Sequence, residues 1–382
     1  MSSQRQSYPF ATFKTKRNKY NILAEYKGLN SKKLNLIKLG GLLSTPLNKK
    51  IELDIYSDEV FNGVDPFDNT NWMYLGALFV PTDCKTEVLK NLNDLRCIKS
   101  HNWNASESDC PESCTFHKEN NTEIHFKEIH RSSARYMIAK KWISFFNKEA
   151  CQKHRKMLYC NILGINLSNI SYCEFDSGGK TELNIYNRFY RTLLMGGLNY
   201  FFKDYSSIVV NSIFHDRGSQ EYHEFFSWHP IQKTELGIDK LNIHCDEIEL
   251  LDSDHRISKT DESQFIQLTD LILGATFSTI HNSSNNPRKK EVSELFKPVL
   301  HKLLNRKKIP NGQMIGDYYK SNYYRTYQIS FFPQNKMTPE EIITYLDLHG
   351  SVQKTEKMKM DNFYYSRFIG SQNQQTLEKW FQ

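Results

Sequence analysis

The stretch Ile51-Glu52-Leu53-Asp54-Ile55-Tyr56-Ser57-Asp58-Glu59 decides how the rest of the chain is read. Ile51, Leu53 and Ile55 alternate with polar neighbours at the two-residue period of a strand with one buried face. The run is expected to stop at Asp58-Glu59, just before the Asn62-Gly63 turn signal, which leaves a carboxylate at a strand end. Working outward, Trp72–Val80 is a second β-type run ended by Pro81. Thr82–Arg96, with Leu89, Leu92 and Leu95, reads as a helix capped by Thr82 or Asp83. The polar stretch that follows, about residues 97–121, reads as an insertion. Glu123–Phe126 is a short strand-like piece, Ser132–Glu149 is helical in period, and Lys156–Leu167 reads as a strand. Glu182–Lys203 follows as a helix, then Ser207–Phe214 as a β-branched strand running into His215-Asp216-Arg217-Gly218. Leu241–Leu250 is a further strand and Ser263–His281 a further helix. Strands first, then strand–helix alternation, predict an α/β domain over residues 51–282 with a mixed central sheet flanked by helices. Asn282–Pro287 is the best linker candidate. Beyond it lies a C-terminal accessory region, 283–382, with helical patterns at Glu291–Asn305 and Pro339–His349. No internal repeat is seen.

The 382 residues are 39% hydrophobic and 13% aromatic, which excludes wholesale disorder. No apolar run approaches the length of a membrane span, and the start, Met1-Ser-Ser-Gln-Arg-Gln, has no apolar signal core, so no membrane partner and a cytoplasmic location are expected. Eight cysteines are too sparse for a disulfide scaffold. The net charge of +7 is unevenly spread: residues 1–50 carry +10 and the remainder −3. A basic N-terminal extension with interleaved Tyr8, Phe10, Phe13, Tyr20 and Tyr26 suits a polyanion, RNA or DNA, through phosphate neutralisation and base stacking. A basic arm that only keeps the chain soluble is the plainer alternative.

Ligands of open α/β sheets collect at the carboxyl ends of strands, so acids that end strands are the first candidates for chemistry. Asp58 and Asp216 both qualify. Asp270 sits in Gln267-Leu-Thr-Asp270-Leu-Ile-Leu-Gly274-Ala275, where Leu268, Leu271, Ile272 and Ala275 make a helical apolar stripe and Gln267, Asp270 and Gly274 share the adjoining face. Glu123 lies in Thr122-Glu-Ile-His-Phe126, with Glu128 in reserve. Read singly, each acid is a cap, a turn residue or a surface charge. Four converging carboxylates repel one another unless a cation fills the site, and oxygen-only ligation suits Mg²⁺ or Mn²⁺. Two such ions, about 3.5–4 Å apart, would stabilise both oxygens of an in-line phosphoryl displacement.

Asp58-Glu59 after a β-run, Glu123-Ile-His-Phe126, Asp216 after Ser207–His215, and Gln267–Ala275 resemble, in order, the motifs of the domain of unknown function 3800 (DUF3800) family. The resemblance covers about residues 51–282 and is most specific over Gln267–Ala275. Where the family usually reads Asp-Glu-Ser-Gly, this chain has Asp58-Glu59-Val60-Phe61. The resemblance implies a ribonuclease H-like fold and a metal-dependent nuclease site, in bacterial, mobile-element or antiviral defence settings. Carried over, Asp58 is the first-strand ligand of both ions, Glu123 the second acid, Asp216 the acid ending the later strand, and Asp270 the acid on the final helix. The products implied are a 5′-phosphate and a 3′-hydroxyl. His125 and His215, which flank acids, are candidates for proton transfer, and Arg217 for stabilising charge on the scissile phosphate. The competing reading is a non-catalytic nucleic-acid- or partner-binding protein on a degenerate scaffold of the same kind.

Two further features stand apart. Cys97, Cys110, Cys114 and His117 fall in the insertion, and three thiolates with an imidazole match a structural zinc site, against the plainer reading of scattered loop thiols. Arg288-Lys289-Lys290, Arg306-Lys307-Lys308 and the tyrosines Tyr318, Tyr319, Tyr323, Tyr324 and Tyr327 suit either a nucleic-acid track or, more simply, core packing or an oligomer or partner interface.

Overall fold

A computed structural model describes residues 49–66, 69–97, 122–150, 156–170, 172, 181–223, 225–304, 307–308, 314–315 and 317–332. The basic extension, nearly all of the insertion, and the expected helix Pro339–His349 lie outside the described residues.

The sheet begins with β1 (Lys50–Val64) and β2 (Asn71–Pro81), an antiparallel pair. β1 does not end at Ser57. It runs on past Asp58, which pairs with Gly76 of β2, and takes up an irregularity only between Val60 and Gly63. β2 is buried on both faces, hence its nearly unbroken apolar run: Met73, Leu75, Ala77 and Phe79 face one side, Trp72, Tyr74, Leu78 and Val80 the other. Helix α1 (Thr82–Asp94) follows at once, with Pro81 at the N-cap and neither Thr82 nor Asp83 capping it. Proline already holds the φ that a helix entry needs and has no N–H to satisfy.

The expected strand at Glu123–Phe126 is instead an extended approach to a single 3₁₀ turn, Phe126–Glu128. α2 (Ser133–Phe145) starts on a Ser132 cap and passes into a wider turn at Phe146–Ala150. β3 (Tyr159–Asn166) pairs antiparallel with β2, and α3 (Thr181–Phe201) crosses back to β4 (Ser207–Asp216), which pairs parallel with β1. α4 (His229–Leu236) comes next. The single strand expected over Leu241–Leu250 is two short ones, β5 (Leu241–Ile243) and β6 (Glu249–Leu251), each parallel to a different part of β4. A one-turn α5 (His255–Ser258) leads into α6 (Ser263–His281).

The break expected at Asn282–Pro287 is a tight corner. Asn282 ends α6 in the left-handed conformation, and Asn286 caps α7 (Pro287–Glu294), which packs on α6. The helix expected over Glu291–Asn305 is interrupted, α8 (Lys297–Leu304) starting after Phe296. A two-residue pair, β7 (Lys307–Lys308) and β8 (Met314–Ile315), precedes β9 (Tyr327–Phe332), which pairs parallel with β3. The region expected to be accessory therefore supplies β9 to the main sheet, and its helices α7 and α8 pack on the same core. The C-terminal tyrosines belong to the same packing: Tyr318 and Tyr327 are fully buried, and Tyr319, Tyr323 and Tyr324 lie against the core.

The result is an α/β protein with a mixed seven-stranded sheet in the order β5-β4-β1-β2-β3-β9, β6 also pairing with β4. One face is covered by α6 with α1, α2, α7 and α8, the other by α3 and α4. α6 is buried along nearly its whole circumference, as its even hydrophobicity requires. A buried chain of hydrogen bonds, Asp65 to His281 to Tyr74, pins its last turn to the sheet. Among the described residues no helix is long and apolar enough to cross a membrane.

Candidate active site

The parallel pairing of β1 and β4 sets the site. Ser57 lies opposite His215 in the last pair of the β1–β4 ladder, so the residues after them, Asp58 within β1 and Asp216 at the end of β4, are neighbours where the two strands part. Side chains alternate across a sheet, and the alternation splits the pair of motifs. Tyr56 and Phe214 belong to the α6 face, and Asp58 and Asp216 follow them there; Ser57 and His215 face α3. α6 lays Asp270 against the same end of the sheet. Its carboxylate accepts the backbone N–H of Phe126 at 2.6 Å, and the His125 imidazole stands 3.4 Å away.

That approach depends on Gly274, one turn beyond Asp270. A Cβ there would sit 2.3 Å from the Phe126 ring, so glycine is what lets the turn carrying Phe126 close onto the helix. The close contact is thus with the 3₁₀ turn rather than with a strand.

The three aspartates act on one another. Asp58 is held well above the usual carboxylate range, by burial first and then by the charges of Asp216, Asp270 and Glu59. Asp216 is pushed up to about 7, again mainly by burial, with His215 and His125 opposing and Glu59 and Asp270 reinforcing. Asp270 is raised by burial and eased by His125, the Phe126 N–H and Lys289. This is a pocket of carboxylates short of positive charge. The donor set, carboxylate oxygens alone, is that of a hard divalent cation. Among the described residues, however, no three His, Cys, Asp or Glu side chains are arranged to hold a single ion. Mg²⁺ commonly takes only one or two protein carboxylates and completes its shell with water and phosphate oxygens, and it is that mode these residues fit.

Neither candidate for the second acid joins the group. Glu123 accepts a 2.6 Å hydrogen bond from Ser253, and Glu128 is engaged by Arg131 and Arg135 at 2.6 and 2.8 Å. Gln267 is fully used in bracing: its carbonyl oxygen takes hydrogen bonds from Arg96 and the Ile124 N–H, and its amide donates to Ser253 O. Arg217 is exposed and reaches the Leu250 carbonyl. Cys97 is a buried free thiol, while Cys110, Cys114 and His117 lie outside the described residues.

His125 and His215 occupy opposite sides of the sheet. His125 Nδ1 accepts the Lys127 N–H at 3.0 Å and is also the atom nearest Asp270. His215 is completely buried behind the aspartates. Its Nδ1 lies 3.0 Å from Ser57 O and from Ser57 Oγ, and its Nε2 lies 2.7 Å from the Tyr186 hydroxyl and 3.2 Å from Glu59. Ser57, His215 and Glu59 form a serine–histidine–carboxylate array, but Ser57 is sealed beneath Tyr190 and donates to the Phe214 carbonyl, so no substrate reaches it.

Three further residues act at the site, of which the sequence marks Glu59 only as the neighbour of Asp58 and Lys289 only as part of a basic run. Glu59 contributes charge to both Asp58 and Asp216. Lys289, on α7, stands over the Phe126 ring and acts on Asp270, with its own ammonium lowered mainly by burial. Arg96 is fully buried over Trp142 and binds Gln264, Gln267 and the Thr122 carbonyl, which fixes the chain leading to His125. Burial lowers its guanidinium to about 9. The one available signal for Arg96 is its place in the Val88–Leu92–Arg96 spacing, a cation in line with an apolar stripe.

Compared with known proteins, the chain matches no family model, no curated protein and no solved structure.

Proposed function

We propose that this protein is a divalent-metal-dependent nuclease with a ribonuclease H-like site, as its resemblance to the DUF3800 family implies. The observation that carries the reading is the placement of Asp58 and Asp216 side by side where β1 and β4 part, on the sheet face that α6 covers with Asp270, all three carboxyls being raised by burial. The strand arrangement is consistent with such a fold: an antiparallel meander β1–β2–β3, with β4 and then β5 added in parallel on the other side of β1.

Asp58, Asp216 and Asp270 are the residues that would hold Mg²⁺ or Mn²⁺, whose bound form supplies Lewis-acid polarisation of a phosphate and a more acidic water. The chain's own groups do the rest. The Phe126 N–H fixes the direction of the Asp270 carboxylate. His125, hydrogen-bonded at the rim, is placed to take or return a proton at Nδ1. Lys289 brings a cation to the edge of the pocket where a phosphate would enter. The Ser57–His215–Glu59 array holds β1 and β4 in register behind Asp58 and Asp216.

The test is cleavage of labelled single-stranded RNA, single- and double-stranded DNA and an RNA–DNA hybrid, by wild type and Asp58→Asn, in Mg²⁺, Mn²⁺ and chelator. Metal-dependent cutting that vanishes in the variant is expected. Cutting by Asp58→Asn, or cutting in chelator, overturns the assignment. Tight binding without cutting under any condition transfers the protein to the non-catalytic scaffold class.

A further inference from the structure

After Asp216 the chain turns onto the α3 side of the sheet through a 3₁₀ turn, Ser219–Tyr222, and reaches α4 at His229. Phe226 anchors this crossing. It is buried, with its ring 5.4 and 5.0 Å from those of Tyr186 and Tyr190. Its neighbours face outward: Tyr222 is 71% exposed, Phe225 44% and Trp228 41%. The exposed rings are not scattered. Phe225 meets Trp228 edge-on at 5.9 Å and Trp228 meets His229 edge-on at 5.8 Å, so three rings form a row, with the buried His223 ring behind Phe225 at 6.0 Å.

The row is held by its backbone. The N–H of His229 donates to Phe225 O, that of Phe226 to His223 O, and that of Ile248 to Ser227 O, at 2.9, 3.2 and 2.7 Å. Rings fixed this way lose little freedom when a partner stacks on them. Lys233, one turn along α4 from His229, and the exposed Arg188 on α3 supply cations on this side. Burial first, and then the charges of Lys233, Arg191 and His223, hold the His229 imidazole below the usual range; Arg191 is itself buried, its guanidinium lowered by that burial first and then by Arg188. Glu221 lies at the far end, beside Tyr222. Exposed aromatic faces under positive potential select a ligand that is both anionic and flat.

We infer that the rings of Phe225, Trp228 and His229, flanked by Arg188 and Lys233, are a stacking platform for the bases of single-stranded nucleic acid, entered from the end of β4 that carries Asp216. Unpaired bases offer their faces to such rings and paired ones do not, so the platform discriminates strand state rather than sequence. The inference rests on the nuclease reading only for the direction in which the strand leads.

Binding of fluorescein-labelled oligo-dT, oligo-U and a duplex of the same length to the full chain, followed by anisotropy in chelator, tests it without turnover. Trp228→Ala is expected to weaken single-strand binding about 5- to 150-fold and leave duplex binding unchanged, because that is the range stacking on one ring supplies. Trp228→Phe should restore most of the loss, which shows that the alanine variant is folded and lacks only the ring. Single strands should also quench tryptophan emission in wild type more than in Trp228→Phe. Wild-type affinity in Trp228→Ala, equal losses for single strand and duplex, or no binding of any oligonucleotide by wild type overturns the inference. Intact binding with no cutting once Mg²⁺ is added overturns the nuclease reading alone.

Discussion

Replacing Asp216 by asparagine should stabilise the metal-free protein at neutral and alkaline pH while destroying its response to metal. The carboxyl rises from its ordinary 3.8 to about 7 in the folded chain. The folded state therefore binds more protons than the unfolded state between those values, and stability falls as pH rises through that window. Below about pH 4 the group is protonated in both states and costs nothing; above about pH 7 the full cost is present. A rise of about three pH units corresponds to ~4 kcal/mol, and partial solvent screening of the rim reduces this to ~2–4 kcal/mol. The amide keeps the shape and removes the charge. Urea unfolding at pH 4, 6 and 8 in chelator should show variant and wild type superimposed at pH 4 and separated by that amount at pH 8. Adding Mg²⁺ at pH 8 should stabilise wild type by mass action and Asp216→Asn much less. Equal stability at pH 8, or the same gap at pH 4 and pH 8, would refute the argument that burial and mutual repulsion strain these carboxylates.

Glu123→Gln and Glu128→Gln should retain wild-type cutting, measured as initial rate in Mg²⁺, because both acids are engaged away from the aspartates; loss of activity in Glu123→Gln would restore it to the site. Asp270→Asn should abolish cutting while the protein remains folded by circular dichroism. Gly274→Ala should destabilise by ~1–3 kcal/mol in urea and lower the cutting rate, since the added methyl displaces Phe126 and with it the N–H that aims Asp270. Arg96→Met should cost ~2–4 kcal/mol by leaving Gln264, Gln267 and the Thr122 carbonyl short of a donor; a change below about 0.5 kcal/mol would show that the loop before His125 does not depend on it.

The period of the side chains made the sheet and its two covering faces readable. β2 is apolar and β4 rich in β-branched residues because they are buried on both sides, and α6 carries a stripe so wide that only a core helix could use it. What period could not give was where a strand stops. Asp58-Glu59 looks like an end because two acids interrupt the run, yet hydrogen bonds to β2 continue past them, and alternation sets Asp58 on the same face as Tyr56. The aspartates were legible as polar residues at the rim of apolar runs. The second acid was not, because Glu123, Glu128 and Glu59 differ only in what they meet across the fold. His125 and Arg96 are set by contacts about 145 to 170 residues distant in sequence, which a local pattern cannot encode.

The place of β9 has a consequence for how the chain is made. β3 takes β2 on one side early, but its other side waits for Tyr327–Phe332, more than 160 residues later. All eight residues of β3 are buried in the finished sheet, so until the ribosome has released the segment around residue 332 the nascent protein presents an open, apolar strand edge. Such an edge is a template for pairing with any neighbouring chain. Synthesis of this protein is thus most exposed to aggregation between the making of β3 and that of β9, and truncations that stop before Tyr327 should accumulate as insoluble material even though they contain every aspartate of the site.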